Sequence, residues 1–348
     1  MIHPVTISNS YLNFPVVKSS DPKINCLNVK TNKVIHIKFN KHVKFGNKWI
    51  ELLGNGLLTL FRKNIHDNNL IITPSKKLKN GTKYTLILHY NSIQDISGNG
   101  VAYYCSSFKT AVKIDIINHA TSGDIKKNSL LYKYIPKTVL SDQIISKAKT
   151  GTPMVTFGNG KGPKILIVAG VHGNELPAPA AAMKLINYLN GKTIKGTIYI
   201  IPFAIPYCTS HTHRYWNHTN PNRRANKTES PTNIIMKLAK RLHVDALGDF
   251  HLSMPGGVPG RDSALCTKIP ILKSYKIAGY IAKNSGSKLI AYEKVGVKYP
   301  GALEDVCNLN GVPAVTCEVL ALHGTLKKNR INKSCNQMFA LLKYFNLI

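Results

Sequence analysis

Partway along the chain the period of its apolar residues changes, and a single fold class cannot accommodate both patterns. From Val16 to Thr110 the sequence reads as short strands, Val34–Phe39, Trp49–Leu53, Leu57–Arg62, Leu70–Thr73, Tyr84–His89 and Tyr103–Phe108, parted by Gly54-Asn55-Gly56, Asn80-Gly81 and Ser97-Gly98-Asn99-Gly100. Regularly spaced strands with Gly/Asn turns predict an all-β sandwich. Further on, apolar strands at Lys164–Ala169, Thr197–Ile201, Ala246–Phe250 and Ala314–Leu320 alternate with helical runs at Ala178–Leu189, Pro231–Leu242 and Ile271–Asn284, and a helix-like Gln337–Phe345 closes the chain. That alternation predicts an α/β domain with a mixed, largely parallel sheet and helices on both faces. At 348 residues and 43% hydrophobic the chain has enough core for two such domains. We place a sandwich at 14–111, a linker with lead-in strands at 112–149 and the α/β domain at 150–348.

The formal charge of +31 arises mostly from lysine spread along the whole chain. A field of that sign attracts polyanions, such as an anionic wall polymer, a membrane surface or an acidic peptide. Nucleic acid is the partner least supported, because no helix-turn-helix pattern, zinc-finger spacing or basic stripe interleaved with aromatics is present. An evenly lysine-rich solvated surface explains the charge equally well. No apolar run approaches the ~18 residues of a membrane span. The first twenty residues carry Pro4, Asn9, Asn13 and Pro15 with no apolar block, so they do not read as a secretory signal. Seven cysteines without CxxC spacing predict neither a disulfide scaffold nor a cysteine zinc knot.

The chemistry gathers at strand ends. His172-Gly173-Asn174-Glu175 follows the first apolar strand of the α/β region, and Asp249-Phe250-His251 ends a later one. In such folds ligands sit at the carboxyl edge of the sheet, so these residues converge there although distant in sequence. Two imidazoles and a carboxylate are a ligand set for catalytic zinc, with the fourth position open. Gly170 and Gly173 let the backbone bend enough for His172 and Glu175 to share one metal. Glu318, near the end of the last strand, supplies a carboxylate base for water at the metal and an acid for the leaving amine. Asp249 orients His251 rather than binding metal. His211, His213 and His218 occupy a Thr/Asn-rich loop without strand or helix register and make a weak second cluster. Cys208 and Cys317 read as small core residues.

Two resemblances follow from these motifs. Pro15–Pro22, Ile35–Asn40, Gly81–Thr85, Asp95–Asn99 and Ser107–Thr110 resemble the bacterial Ig-like domain of surface-layer and adhesin-type proteins. Cys26 and Cys105, near the ends of that segment, would either pair or be buried as free thiols. Gly170–Glu175, Asn222-Arg223, Asp249–His251 and Thr316–Val319 resemble, in order, the zinc carboxypeptidase and succinylglutamate desuccinylase/aspartoacylase superfamily over residues 150–348. The resemblance implies one zinc per chain held by His172, Glu175 and His251, with Glu318 as general base. It implies a substrate carboxylate at Asn222 and Arg223, Arg214 at the substrate or the tetrahedral oxyanion, and Tyr299, or else Tyr292, as a capping tyrosine. Asn220 stands where the family has an acidic residue, and Leu252 follows His251 where serine is usual. Only a short stretch follows Glu318, so a compact peptidase-like core is the closer comparison. The expected activity is hydrolysis of amide bonds by a metallopeptidase or amidase acting on a peptide or N-acyl amino acid with a carboxylate, with cell-wall peptides as the favoured target. The Ig-like module favours an extracellular or surface location. The alternatives are an N-acyl amino acid deacylase and a surface-binding protein with an inactive hydrolase domain.

Overall fold

A computed structural model describes residues 14–158 and 161–348; Pro4, Asn9 and Asn13, read above against a secretory signal, lie outside the described residues. The chain divides into two compact units between Val112 and Lys113.

In the first unit a four-stranded sheet (Val17–Asp21, Ile35–Phe39, Asn69–Pro74, Phe61–His66) accompanies a five-stranded one (Cys26–Val29, Tyr104–Thr110, Lys83–Leu88, Ile50–Gly54, Leu57–Leu58). Strand alternation builds the core. Ile35, Ile37 and Phe39 point inward while His36 and Lys38 do not, and Tyr84, Leu86 and Leu88 do the same from the other sheet. Leu57–Arg62, expected as one strand, is instead split between the sheets, with Leu60 80% exposed at the crossing. The expectation for Cys26 and Cys105 is corrected. Both are free and exposed, and the register sets Phe108, not Cys105, opposite Cys26.

The strands of the second unit are numbered β1 (Lys113–Asn118), β2 (Thr152–Gly158), β3 (Lys164–Ala169), β4 (Thr197–Ile201), β5 (Ala246–Ser253), β6 (Ser263–Ile269), β7 (Lys288–Lys294) and β8 (Ala314–Leu320). They form one sheet in the order β1-β2-β4-β3-β5-β8-β6-β7. The central β4-β3-β5-β8 run is parallel, β6 returns antiparallel to β8, and β1 and β2 close the other edge antiparallel. The helices are α1 (Ser129–Tyr134), α2 (Val139–Ala148), α3 (Pro177–Leu189), α4 (Pro206–His211), α5 (Pro231–Leu242), α6 (Leu272–Ser285), α7 (Leu303–Leu309) and α8 (Lys328–Tyr344). One group, α3, α6 and α8, packs together, and α5 packs on α7. Leu166, Val168 and Leu247 turn toward Ile235, Leu238, Ala239 and Val306 of the α5–α7 layer. Helix α5 shows how local sequence sets such an element: the Ser230 side chain accepts from the Asn233 N–H, Pro231 opens the first turn, and His243 ends it in the left-handed conformation.

Val112 closes the first unit, and the segment 113–149 contributes β1, α1 and α2 to the second. Its buried anchors Ile125, Leu131, Leu140, Ile144 and Ile145 are split among short elements, so no long apolar period marks it in sequence.

Candidate metal centre and active site

The parallel register brings the site together. In the β5–β8 pairing His251 lies directly beside Glu318, and Asp249 beside Thr316. Strand β3 ends one place away at Ala169, opposite Phe250, and leads into the loop that carries His172 and Glu175. Two glycines make that loop possible for different reasons. Gly170 has φ +75°, in the left-handed region, whereas Gly173 meets a neighbour: a Cβ there would stand 2.0 Å from the Cys208 carbonyl carbon.

His172, Glu175 and His251 are all buried, and one ligand atom from each lies within 4.8 Å of the others. His172 Nδ1 is 2.9 Å from Glu175 Oε1, and His251 Nδ1 is 2.8 Å from Glu175 Oε2. The outer nitrogens are engaged as well. His172 Nε2 is 2.8 Å from Asn220 Oδ1, and His251 Nε2 is 2.8 Å from Asp249 Oδ2. Partners on the far nitrogens fix the imidazole tautomer and turn both Nδ1 atoms inward, the arrangement of metal-binding histidines. Asn220, the departure from the family's acidic residue, therefore still orients His172, as a neutral acceptor. Donor chemistry and convergence both fit a divalent metal of the zinc type.

The charges are tightly balanced. Burial alone would raise the Glu175 carboxyl, but His172 and His251 outweigh it and hold the group well below the usual carboxylate range. Burial alone would lower His251, but Asp249 and Glu175 together hold its imidazole well above the ordinary value. Glu318 has its Oε2 buried without a hydrogen-bond partner. Burial pushes its carboxyl up to about 8; His251 pulls against this, and Glu175 and Asp249 reinforce it.

A cavity of about 310 Å³ opens over these groups and is also lined by Arg214, Asn222, Arg223 and Tyr299. Arg214 donates to Glu175 Oε1 at 2.7 Å. Asn222 accepts from the Leu303 N–H through Oδ1, which holds the start of α7 beside the Asn222-Arg223 turn, and its Nδ2 lies 3.3 Å from His251 Nε2. The Arg223 guanidinium lies 5.1 Å from the Tyr299 ring centroid, and the buried Tyr299 hydroxyl has no hydrogen-bond partner. Tyr292 also lines the cavity, with its ring 5.8 Å from that of Tyr299. Eight of the residues singled out in the sequence, His172, Glu175, Arg214, Asn222, Arg223, His251, Tyr299 and Glu318, thus face one cavity. His211 and His213 instead cluster on Tyr207, and among the described residues they belong to no group of three metal-ligating side chains.

Sequence reasoning missed His323, 3.3 Å from Arg214 Nη1, and the adjacent acids Glu304 and Asp305, all lining the same cavity. His323 follows β8, where the strand-end rule would have found it. Two neighbouring acids in a chain with only 16 were a compositional signal.

Residues 13–110 match the profile of the bacterial Ig-like domain, and residues 161–278 match that of the succinylglutamate desuccinylase/aspartoacylase catalytic domain. The second match contains the three candidate ligands, Arg214, Asn222 and Arg223; Tyr299 and Glu318 lie beyond it. Among curated proteins none matches the sequence. Similar solved structures include an aspartoacylase family protein from Mesorhizobium loti, 22% identical with a TM-score of 0.46, the alignment covering 57% of this chain and 62% of that one. A product-bound ectoine utilization protein EutE from Ruegeria pomeroyi is 16% identical with a TM-score of 0.48, over 58% and 64% of the two chains. The tripeptide-bound cell shape determinant Csd4 from Helicobacter pylori is 13% identical with a TM-score of 0.47, over 57% and 56%. The chain is thus similar to the bacterial Ig-like domain over residues 13–110 and to the succinylglutamate desuccinylase/aspartoacylase catalytic domain over residues 161–278.

Proposed function

We propose that the protein is a zinc-dependent hydrolase of amide bonds, acting on a peptide or N-acyl amino acid whose carboxylate lies next to the scissile bond. The observation that carries this reading is the convergence of His172 Nδ1, His251 Nδ1 and the Glu175 carboxylate beside a carboxyl, Glu318, that the register sets against His251. His172, Glu175 and His251 would hold one ion, and the chemistry it supplies when bound is Lewis acidity, toward the amide carbonyl and toward water.

The protein's own groups do the rest. Glu318 Oε2, which has no other partner, takes the proton of the attacking water and returns it to the departing amine nitrogen. A nearby cation lowers the pKa of such a carboxyl and keeps it ionised for the first of these steps. Arg214 reaches the oxyanion, and Asn222 with Arg223 holds the substrate carboxylate, for which a permanently charged planar fork is suited. Tyr299 closes over the substrate and gives its free hydroxyl a partner.

The Ig-like module and the charge of +31 favour a large anionic substrate outside the cell, such as a peptide in a cell-wall polymer. The catalytic-domain match favours a second reading, deacylation of a small N-acyl amino acid. Release of amino groups from isolated walls and from N-acyl amino acids, with and without zinc, tests both. Zinc-dependent release that falls about 10²- to 10⁴-fold in Glu318→Gln is expected; release indifferent to metal removal, or undiminished in the variant, would overturn the reading.

A further inference from the structure

The hairpin that crosses between the two sheets of the first unit projects three leucines into solvent. Strand Ile50–Gly54 turns through Asn55-Gly56 into Leu57–Leu58, the two-residue edge strand of the five-stranded sheet, and the chain then passes Leu60 into Phe61–His66 of the other sheet. Leu57 is 72% exposed, Leu58 73% and Leu60 80%. Single exposed leucines are ordinary, but three within four residues make one apolar projection. Backbone bonds to the sheets order this segment: the Thr59 N–H donates to the Leu52 carbonyl at 2.8 Å, and the Ser75 N–H to the Leu60 carbonyl at 2.9 Å. The core beneath is filled by other residues, Leu52, Leu70, Ile72 and Leu86 among them. The three leucines thus have no part in holding the fold.

Charge supplies the second observation. Arg62 stands two residues after Leu60, Lys76 and Lys77 follow Ser75 directly, and the Lys83 carbonyl accepts from the Asn55 N–H at 2.8 Å; all four cations are exposed. The ion pairs of this unit among the described residues, Lys33–Asp21, Lys41–Asp95, His66–Asp67 and His89–Glu51, use none of them. No Asp or Glu occurs from Leu52 to His66 or from Asn68 to Gln94. Of the flanking acids, Glu51 is engaged with His89, and Asp67 lies past the far end of Phe61–His66, roughly 20 Å from Leu60 at the rise of a strand. An apolar tip is therefore ringed by unpaired cations with no carboxylate between them. A hydrated polyanion would neutralise the cations but has nothing apolar to receive the leucines. Acyl chains beneath anionic headgroups receive both.

We propose that the Leu57–Leu60 hairpin is a membrane-docking tip, its leucines entering the acyl boundary of an anionic bilayer while Arg62, Lys76, Lys77 and Lys83 meet the headgroups. The insertion involves side chains only, so no backbone group is buried in hydrocarbon without a partner. Attachment is peripheral and weakens with salt, because part of it is exposed charge. This goes beyond the hydrolase reading and does not depend on it.

Sedimentation of the full chain with vesicles of phosphatidylcholine alone, and of phosphatidylcholine mixed with phosphatidylglycerol, tests the tip. Binding is expected to the mixed vesicles and to be far weaker to the neutral ones. Leu57→Ser combined with Leu58→Ser and Leu60→Ser should lower the partition coefficient about 10²-fold or more. Lys76→Gln with Lys77→Gln should lower it about tenfold or more; this pair alters no apolar residue and serves as the second variant if the triple one fails to fold. A wild type that does not bind the mixed vesicles would overturn the proposal, as would undiminished binding by either folded variant. Self-association of the free chain that the serine variant abolishes, without vesicle binding, would assign the leucines to a second copy and equally overturn it.

Discussion

Asp249 is the residue whose replacement probes the candidate centre without removing a ligand. It is fully buried, its Oδ2 is in ion-pair contact with His251 Nε2 at 2.8 Å, and neither carboxylate oxygen has a hydrogen-bond partner. Asn in its place keeps the volume and an acceptor oxygen but removes the charge that fixes the His251 tautomer and raises its basicity. Loss of such an outer partner weakens metal binding about 10- to 100-fold, or about 1.4–2.7 kcal/mol. The sign of the pH dependence follows from the same contact. Against the opposing effect of burial, Asp249 and Glu175 hold His251 well above its ordinary pKa, so in the wild type a proton competes with the metal to higher pH than it does in Asp249→Asn. The deficit of the variant is therefore largest at alkaline pH and narrows on acidification. Competition titration of zinc against a chromophoric chelator, at several pH values, reads both quantities. Unchanged affinity at alkaline pH, or a deficit that widens as pH falls, would refute the reasoning.

Two further outcomes follow from the site. Burial, then Asp305, raises Glu304 well above its unfolded value near ~4.3, so the folded chain binds more protons in that window. Stability from this group is present below the unfolded pKa and lost as pH rises through the folded one. Glu304→Gln removes the loss, and its melting temperature should exceed that of the wild type by a margin near zero in acid that grows with pH; a margin independent of pH would contradict this. Gly173→Ala sets a Cβ 2.0 Å from the backbone of Cys208, where no flexible side chain can yield. It should cost about 1–3 kcal/mol and weaken zinc binding by displacing the loop, measurable by denaturant titration and metal competition. Unaltered stability would show that the backbone there is free to move.

How far this architecture was legible depended on the kind of signal each element carried. The strands Thr197–Ile201 and Ala314–Leu320 and the helix Pro231–Leu242 are bounded in the structure as their apolar period and caps predict. The pairing of β5 with β8, which sets His251 beside Glu318, depends on contacts distant in sequence, and only the strand-end rule anticipated its consequence. Short elements were read least well. Helix α7 runs only from Leu303 to Leu309 and half of its buried positions are polar, Glu304, Asp305 and Asn308, so it shows no apolar stripe although it contributes Glu304 and Asp305 to the cavity lining. The exposure of Cys26 and Cys105 was illegible for a related reason: the face of a short strand follows from register, and the register of Cys26 is set against Phe108 across the sheet.

Metal content tests the central claim most directly. The purified chain, supplied with zinc and dialysed, should retain about one ion, as a three-ligand centre requires, and His172→Ala combined with His251→Ala should retain none while keeping its fold by circular dichroism. A wild type that holds no zinc after supply, or a folded double variant that holds as much as the wild type, would contradict the assignment of His172, Glu175 and His251 as the metal centre.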